Sequence, residues 1–60
     1  MTEKDFLFID NESGEQFFVE CRTLNEAWSV VYENFGDDAD VEYIDEYSME
    51  EAEILGYDTF

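Results

Sequence analysis

Nine carboxylates crowd into residues 37–53, and no Lys or Arg lies among them. Closely spaced carboxylates can act as a general acid and base, ligate a cation, or present a row of negative charge to a basic surface. Which of these they do depends on the elements that carry them. The nine are Asp37, Asp38, Asp40, Glu42, Asp45, Glu46, Glu50, Glu51 and Glu53.

The spacing of the first acids fits a calcium loop poorly. Asp38, Asp40 and Glu42 occupy positions 1, 3 and 5 of a would-be EF-hand loop. The loop fails at position 6, where Tyr43 replaces the required Gly, and at position 12, where Met49 replaces the required Glu. The pattern leaves open only loose, weak binding of divalent cations.

The sequence contains few other candidates for catalytic residues. The chain contains no His, the commonest general base and metal ligand. Glycosidase-type chemistry needs one carboxylic acid of raised pKa inside a substrate-sized cleft, and a 60-residue chain is too short to build a deep one. Cys21 has only Arg22 beside it to lower its pKa, so we interpret it as a small strand residue. We expect no enzymatic activity, no cofactor and no metal site.

A β-hairpin is predicted at the start of the chain. Residues 5–10 and 16–22 are aromatic and β-branched runs, and the turn-forming residues 11–14 separate them. Both faces of the first run are apolar, with Phe6, Phe8 on one side and Leu7, Ile9 on the other, so this strand is predicted to be central.

Two helices and a third strand are predicted after the hairpin. Capping-box patterns at 23–26 and 48–51 each predict a helix start. Gly36 is predicted to end the first helix in the left-handed region, and Gly56 follows the second helix. Between the helices, residues 39–47 alternate as a strand does. The first helix is predicted to bury one stripe at the helical period, formed by Leu24, Ala27, Trp28, Val31 and Phe35.

These elements predict one small α+β domain over residues 1–60, in the order β-β-α-β-α. The predicted sheet has three antiparallel strands in the spatial order 2-1-3, with the long helix on one face. The other face would be covered by the short C-terminal helix together with Tyr57 and Phe60, or by another subunit.

The charge imbalance indicates the kind of partner. The chain carries 18 acids against 2 bases, a net charge of −16, and residues 23–60 hold 12 acids and no base. Such a surface is repelled by nucleic acid and by anionic membranes, so we expect a basic partner protein. No basic run followed by a long apolar stretch opens the sequence, and we expect a cytoplasmic protein with neither signal peptide nor membrane span.

In size, acidity, aromatic content and mixed α/β pattern, the whole chain looks like the small DNA-mimic inhibitors of phages and mobile elements. Those proteins act on restriction enzymes, CRISPR nucleases, repair enzymes or nucleoid proteins of a bacterial host. The resemblance is one of composition, because DNA mimics share no common motif, so it transfers no residue role. It implies a non-enzymatic inhibitor, serving evasion of host defence, that occupies a basic nucleic-acid-binding groove.

The predicted partner-binding residues are the nine acids of residues 37–53 together with Tyr43 and Tyr47, which are interleaved with them. Tyrosine offers apolar area with a polar tip and is favoured at interfaces. Two other functions fit the same features. One is an acidic adaptor or regulator that docks on a basic surface without blocking nucleic acid, and the other is a homodimeric assembly module.

Overall fold

The structure, a computed structural model, describes residues 3–59. In these residues the chain forms six elements in the order β-β-α-β-α-β. They are β1 (Lys4–Asp10), β2 (Gln16–Cys21), α1 (Leu24–Phe35), β3 (Val41–Tyr47), α2 (Met49–Leu55) and β4 (Asp58–Thr59). The α+β class and the first five elements agree with the sequence patterns, and the last strand is additional.

The predicted hairpin is confirmed. β1 and β2 pair antiparallel, with Phe6 opposite Val19. The turn closes where the backbone N–H of Gly14 donates to the Asp10 carbonyl at 2.7 Å. Gly14 has φ +77°, a value that glycine adopts without steric cost.

The sheet differs from the prediction in the number of strands and in the direction of one of them. It has four strands in the order β3-β1-β2-β4, so the prediction of three antiparallel strands is wrong. β1 is central as expected, but β2 is an inner strand because β4 pairs beside it in parallel. Gly56, in the left-handed region at φ +77° and ψ 16°, turns the chain after α2 toward this position. A two-residue strand is too short to show alternation in the sequence.

Both helices start at the predicted caps. The Thr23 hydroxyl accepts from the Glu26 amide at 3.2 Å, and Ser48 and Glu51 form both halves of a capping box at α2. Gly36 ends α1 with a positive φ of 91°, but its ψ of 163° lies outside the predicted left-handed helical region. This extended conformation is essentially restricted to glycine.

α1 covers one face of the sheet and α2 the other. Phe8 of β1 and Val31 of α1 are fully buried between the sheet and the helix. Trp28 packs edge-on against Phe8, with the ring centroids 4.9 Å apart. Burial of one such ring stabilises the fold by about 1.5–3 kcal/mol. Between α2 and the sheet, a second buried cluster consists of Leu7, Phe18 and Ala52.

Tyr57 contributes to covering the α2 face, as predicted, since its ring lies 5.8 Å from that of Phe18. The corresponding prediction for Phe60 lies outside the described residues.

A β-bulge divides β3. Leu7 is opposite Asp45 and Phe8 is opposite Tyr43, so Ile44 is an extra residue with no partner on β1. Residues before the bulge, Val41 and Tyr43, pack under α1, whereas Tyr47 after it packs in the α2 cluster. Without the bulge, residues 43 and 47 would share one face.

Neither helix within residues 3–59 has the length and apolar character needed to cross a membrane.

Candidate functional site

The nine acids of residues 37–53 lie on three consecutive segments of the chain, of which β3 is an outer strand of the sheet. Three lie in the turn that joins α1 to β3, three on β3, and three on α2. All nine residues are exposed. We call this set of nine acids the acidic edge.

β3 gives the acidic edge its length, because it is an outer strand of the sheet and pairs only with β1 among the described strands. Seven residues of extended chain span about 23 Å, and the longest dimension of the molecule is 30 Å. The strand is therefore long compared with the size of the molecule. The bulge and the charged side chains also make this strand a poor template for pairing with a further strand.

The bulge sorts the acids of β3 between the two faces. Glu42 and Asp45 are opposite Ile9 and Leu7, so they project on the α2 side. Glu46 is opposite Phe6 and projects on the α1 side. There Lys4 Nζ approaches Glu46 Oε1 at 3.4 Å, with both side chains about half exposed. Among residues 3–59, this is the only ion pair.

The other contacts of the acidic edge are hydrogen bonds to neutral groups. The Asn11 side-chain amide donates to Asp40 Oδ1 at 3.2 Å, and the Glu46 backbone N–H donates to Asp45 Oδ1 at 2.8 Å. None of these contacts neutralises a carboxylate, so eight of the nine acids form no ion pair within the described part of the chain.

The two predicted tyrosines are half-buried and pack against the core. Tyr43 lies 5.7 Å from Phe8 between ring centroids, and burial followed by the charges of Glu46 and Asp45 raises the pKa of its hydroxyl. Tyr47 meets Phe18 edge-on at 6.0 Å. Their role in partner binding stays a prediction, and each ring also has a structural role.

An apolar patch on α2 was not predicted as a surface feature. Ile54 is 84% exposed, and with Leu55, Tyr47 and Glu51 it lines a hollow of about 210 Å³. For Ile54 the sequence does carry a signal, because it lies two positions after the buried Ala52 and residues two apart on a helix do not share a face. No such signal exists for Leu55, which lies three positions after Ala52.

A second acidic cluster lies outside residues 37–53 and was missed. Asp5 and Glu20 are directly opposite each other on β1 and β2, and burial followed by the charge of Glu3 raises the pKa of Asp5. A hydrogen bond with Glu3 raises the pKa of Glu20, and desolvation and the charges of Asp5 and Glu3 add to this. The hairpin register could have revealed the pair, since a turn over residues 11–14 sets residues 5 and 20 opposite each other.

Cys21 is buried at the end of β2 under α1. Burial raises the pKa of its thiol, and the neighbouring carboxylates, Glu26 first, raise it further. A thiol held in its neutral form is a poor nucleophile, in keeping with the interpretation of Cys21 as a packing residue.

Within residues 3–59, no three Cys, Asp or Glu side chains are grouped so that they could hold a metal ion. Comparison of the chain with protein-family models, with curated proteins and with solved structures found no match, so no relative lends it a function.

Proposed function

We propose that this chain is a non-enzymatic inhibitor that binds the basic nucleic-acid-binding surface of another protein and competes there with nucleic acid. The observation that carries the proposal is the acidic edge, nine exposed carboxylates of which eight form no ion pair among residues 3–59. Such crowding destabilises the fold by self-repulsion. A cationic partner would relieve that repulsion on binding.

The scale of the charge supports a partner surface that binds nucleic acid. A duplex as long as the 30 Å molecule carries about 18 phosphate charges, close to the net charge of −16 here. Acids at alternate strand positions lie about 6.6–6.8 Å apart, and helical neighbours such as Glu50 and Glu53 lie about 5–6 Å apart. Lys and Arg spaced to meet phosphates could meet these carboxylates.

The apolar patch supports a protein partner of opposite charge over a second copy of this chain. Ile54 and Leu55 offer exposed apolar area, which desolvates on binding and contributes affinity. Glu50, Glu51 and Glu53 come from the same short helix, so two copies meeting here would bring like charges together. A basic partner pairs with these acids while it covers the patch.

A competition assay tests the proposal. Bacterial proteins that elute from a duplex-DNA column are passed over the immobilised chain, and each retained protein is purified and bound to a fluorescent 20-base-pair duplex. We expect an excess of the free chain to displace the duplex completely from the retained protein. We also expect its affinity for the retained protein to fall about tenfold or more between 50 and 200 mM salt, because attraction between the two charged surfaces is screened.

Two variants of equal net charge locate the interaction. The first neutralises four acids of the acidic edge and leaves the α2 cap intact, with Glu42→Gln, Asp45→Asn, Glu50→Gln and Glu53→Gln. The second neutralises four exposed acids elsewhere, with Glu12→Gln, Glu15→Gln, Glu26→Gln and Glu33→Gln. The first should weaken competition about tenfold or more, and the second by less than about threefold.

Three outcomes would contradict the proposal. If the two variants compete equally well, the position of the charge is irrelevant and the acidic edge is not the binding surface. If the chain binds its partner while the duplex stays bound, the chain is an adaptor that docks beside the nucleic-acid site. If light scattering finds a dimer that dissociates when Ile54→Ser is introduced, the patch joins two copies.

A further inference from the structure

A hollow of about 400 Å³ opens between the end of the sheet and α2. Asp5 and Glu20 line it from the sheet, Met49, Ala52 and Tyr57 supply apolar surface, and Glu53 stands on its helical side. Its volume falls within the range of about 300–1,000 Å³ that is usual for ligand pockets. The hollow therefore combines carboxylates with apolar surface, which is the combination that an amphipathic cation requires.

Asp5 is the unusual member of this set. It is only 5% exposed, and its Oδ1 atom has no hydrogen-bond partner in the described part of the chain. A buried polar atom without a partner destabilises the fold, and more so where the group is charged. Native structures leave few such atoms, and each exception calls for an explanation, such as a group that binds there and satisfies the atom.

The groups around Asp5 increase this cost. Glu20 is directly opposite on β2, where side chains of paired strands come within about 4.5–5.5 Å at Cβ, and like charges so placed repel. Glu3 raises the pKa of both Asp5 and Glu20. The neighbouring base, Lys4, is engaged with Glu46 and projects to the opposite face of β1. Asp5, Glu20 and Glu53 thus line the hollow, and no Lys or Arg is among the described residues that line it.

We propose that this hollow binds the guanidinium group of an arginine side chain supplied by the partner protein. Guanidinium presents a planar fork of five donors, so it can bond Asp5 Oδ1 and reach Glu20 at the same time, whereas an ammonium is a single compact charge. Guanidinium is also more weakly hydrated and stacks on aromatic rings, and Tyr57 lines the hollow. The origin of this arginine in a partner protein rests on the proposed function.

The experiment uses small probes, so that it does not depend on the identity of the partner. The chain is titrated with N-acetyl-arginine amide and, separately, with N-acetyl-lysine amide at low ionic strength, and the backbone amide resonances are followed by NMR. We expect saturable shifts at Asp5, Glu20 and Tyr57 with the arginine probe. The lysine probe should bind about fivefold more weakly or worse.

Matched variants separate a pocket from general attraction to an acidic protein. Asp5→Asn and Glu20→Gln each remove one charge from the hollow, and Glu33→Gln removes one charge from the exposed surface of α1. Each of the first two should weaken the arginine probe about fivefold or more, while Glu33→Gln should change its affinity by less than about twofold. Because Glu20 is exposed, Glu20→Gln carries the test even if Asp5→Asn perturbs folding.

Equal binding of the arginine and lysine probes, or equal losses in all three variants, would overturn the proposal. The outcome is separable from that of the competition assay. A chain that displaces duplex DNA but does not bind the probe lacks the arginine pocket and keeps the proposed function. A chain that binds the probe but leaves the duplex in place keeps the pocket and lacks that function.

Discussion

At the residue scale, Asp5 shows how strand pairing can override the preference of a charge for water. It lies between Lys4 and Phe6 on a strand whose other side chains are mostly buried, and pairing with β2 and β3 covers it on both sides. Its burial raises its pKa, and this shift connects stability to pH.

The free energy of unfolding should therefore rise as pH falls from 7 toward about 5. The pKa values of Asp5 and Glu20 are raised in the folded state above the ordinary values of 3.8 and 4.5, so in the window above those values the folded state binds more protons. These groups make their full contribution to the free energy of unfolding at pH values below their pKa in the unfolded chain. The contribution is lost as pH rises through their pKa in the folded chain. Urea unfolding followed by Trp28 fluorescence at the two pH values measures the change.

The Asp5→Asn variant supplies the control for that measurement. Asparagine removes the charge and keeps the shape, so at pH 7 the variant should be more stable than the parent by about 1 kcal/mol. It should also show a smaller gain in stability on acidification, whereas Glu33→Gln should retain most of the gain. An unchanged pH dependence in Asp5→Asn would mean that Asp5 ionises normally in the fold.

At the element scale, local patterns in the sequence located five of the six elements. Cap residues, apolar periodicity and glycine stops act within a few positions, so α1, α2 and the hairpin could be predicted. β4 and the bulge could not, because each depends on a partner far away in the chain. The pair of Asp5 and Glu20 differs from these, because the predicted hairpin turn already sets the two residues opposite each other.

The α2 cap allows a quantitative test. Ser48 accepts from the Glu51 amide at 3.3 Å, and Glu51 Oε1 in turn accepts from the Ser48 backbone N–H at 3.5 Å. Ser48→Ala removes the first bond and should destabilise the protein by about 1 kcal/mol, or lower the melting temperature by about 4–8 °C in a domain of this size.

Ser29→Ala is the matched serine control for the cap. Ser29 is exposed in the middle of α1, where its hydroxyl donates to the Asn25 carbonyl at 3.2 Å. Its replacement should change the free energy of unfolding by less than about 0.5 kcal/mol. Equal effects of the two substitutions in calorimetry would show that the Ser48 bonds contribute no stability of their own.

At the scale of the whole molecule, charge dominates. The clustering of acids in the sequence predicted their exposure, but not which face of the sheet each acid of β3 takes, because the bulge shifts the alternation after Tyr43. At about 0.01 M salt the Debye length is near 30 Å, which equals the longest dimension of the molecule. Each charge then interacts with nearly every other.

Added salt should accordingly stabilise the fold. Raising NaCl from about 0.01 to 0.2 M shortens the Debye length below 10 Å, and the melting temperature should rise by several degrees as repulsion among the acids is screened. The single described ion pair, Lys4 with Glu46, is exposed and offsets little of this gain.

The variant with four neutralised acids on the acidic edge should gain less from salt than the parent protein. Glucose at equal osmolality should have almost no effect in this range, which separates screening from preferential exclusion. A melting temperature that falls with salt would mean that attractive charge pairs outweigh the repulsion.

The bulge at Ile44 also makes β3 tolerant of a one-codon deletion. Because Ile44 is the extra residue, its loss would restore strict alternation while Asp45 stays opposite Leu7 and Glu46 stays opposite Phe6. The faces on which Asp45 and Glu46 are displayed would not change. A lineage could thus gain or lose this residue in one genetic event and keep the same arrangement of charge along the strand, whereas deletion of any other β3 residue would require the bulge to be lost or moved to keep the register.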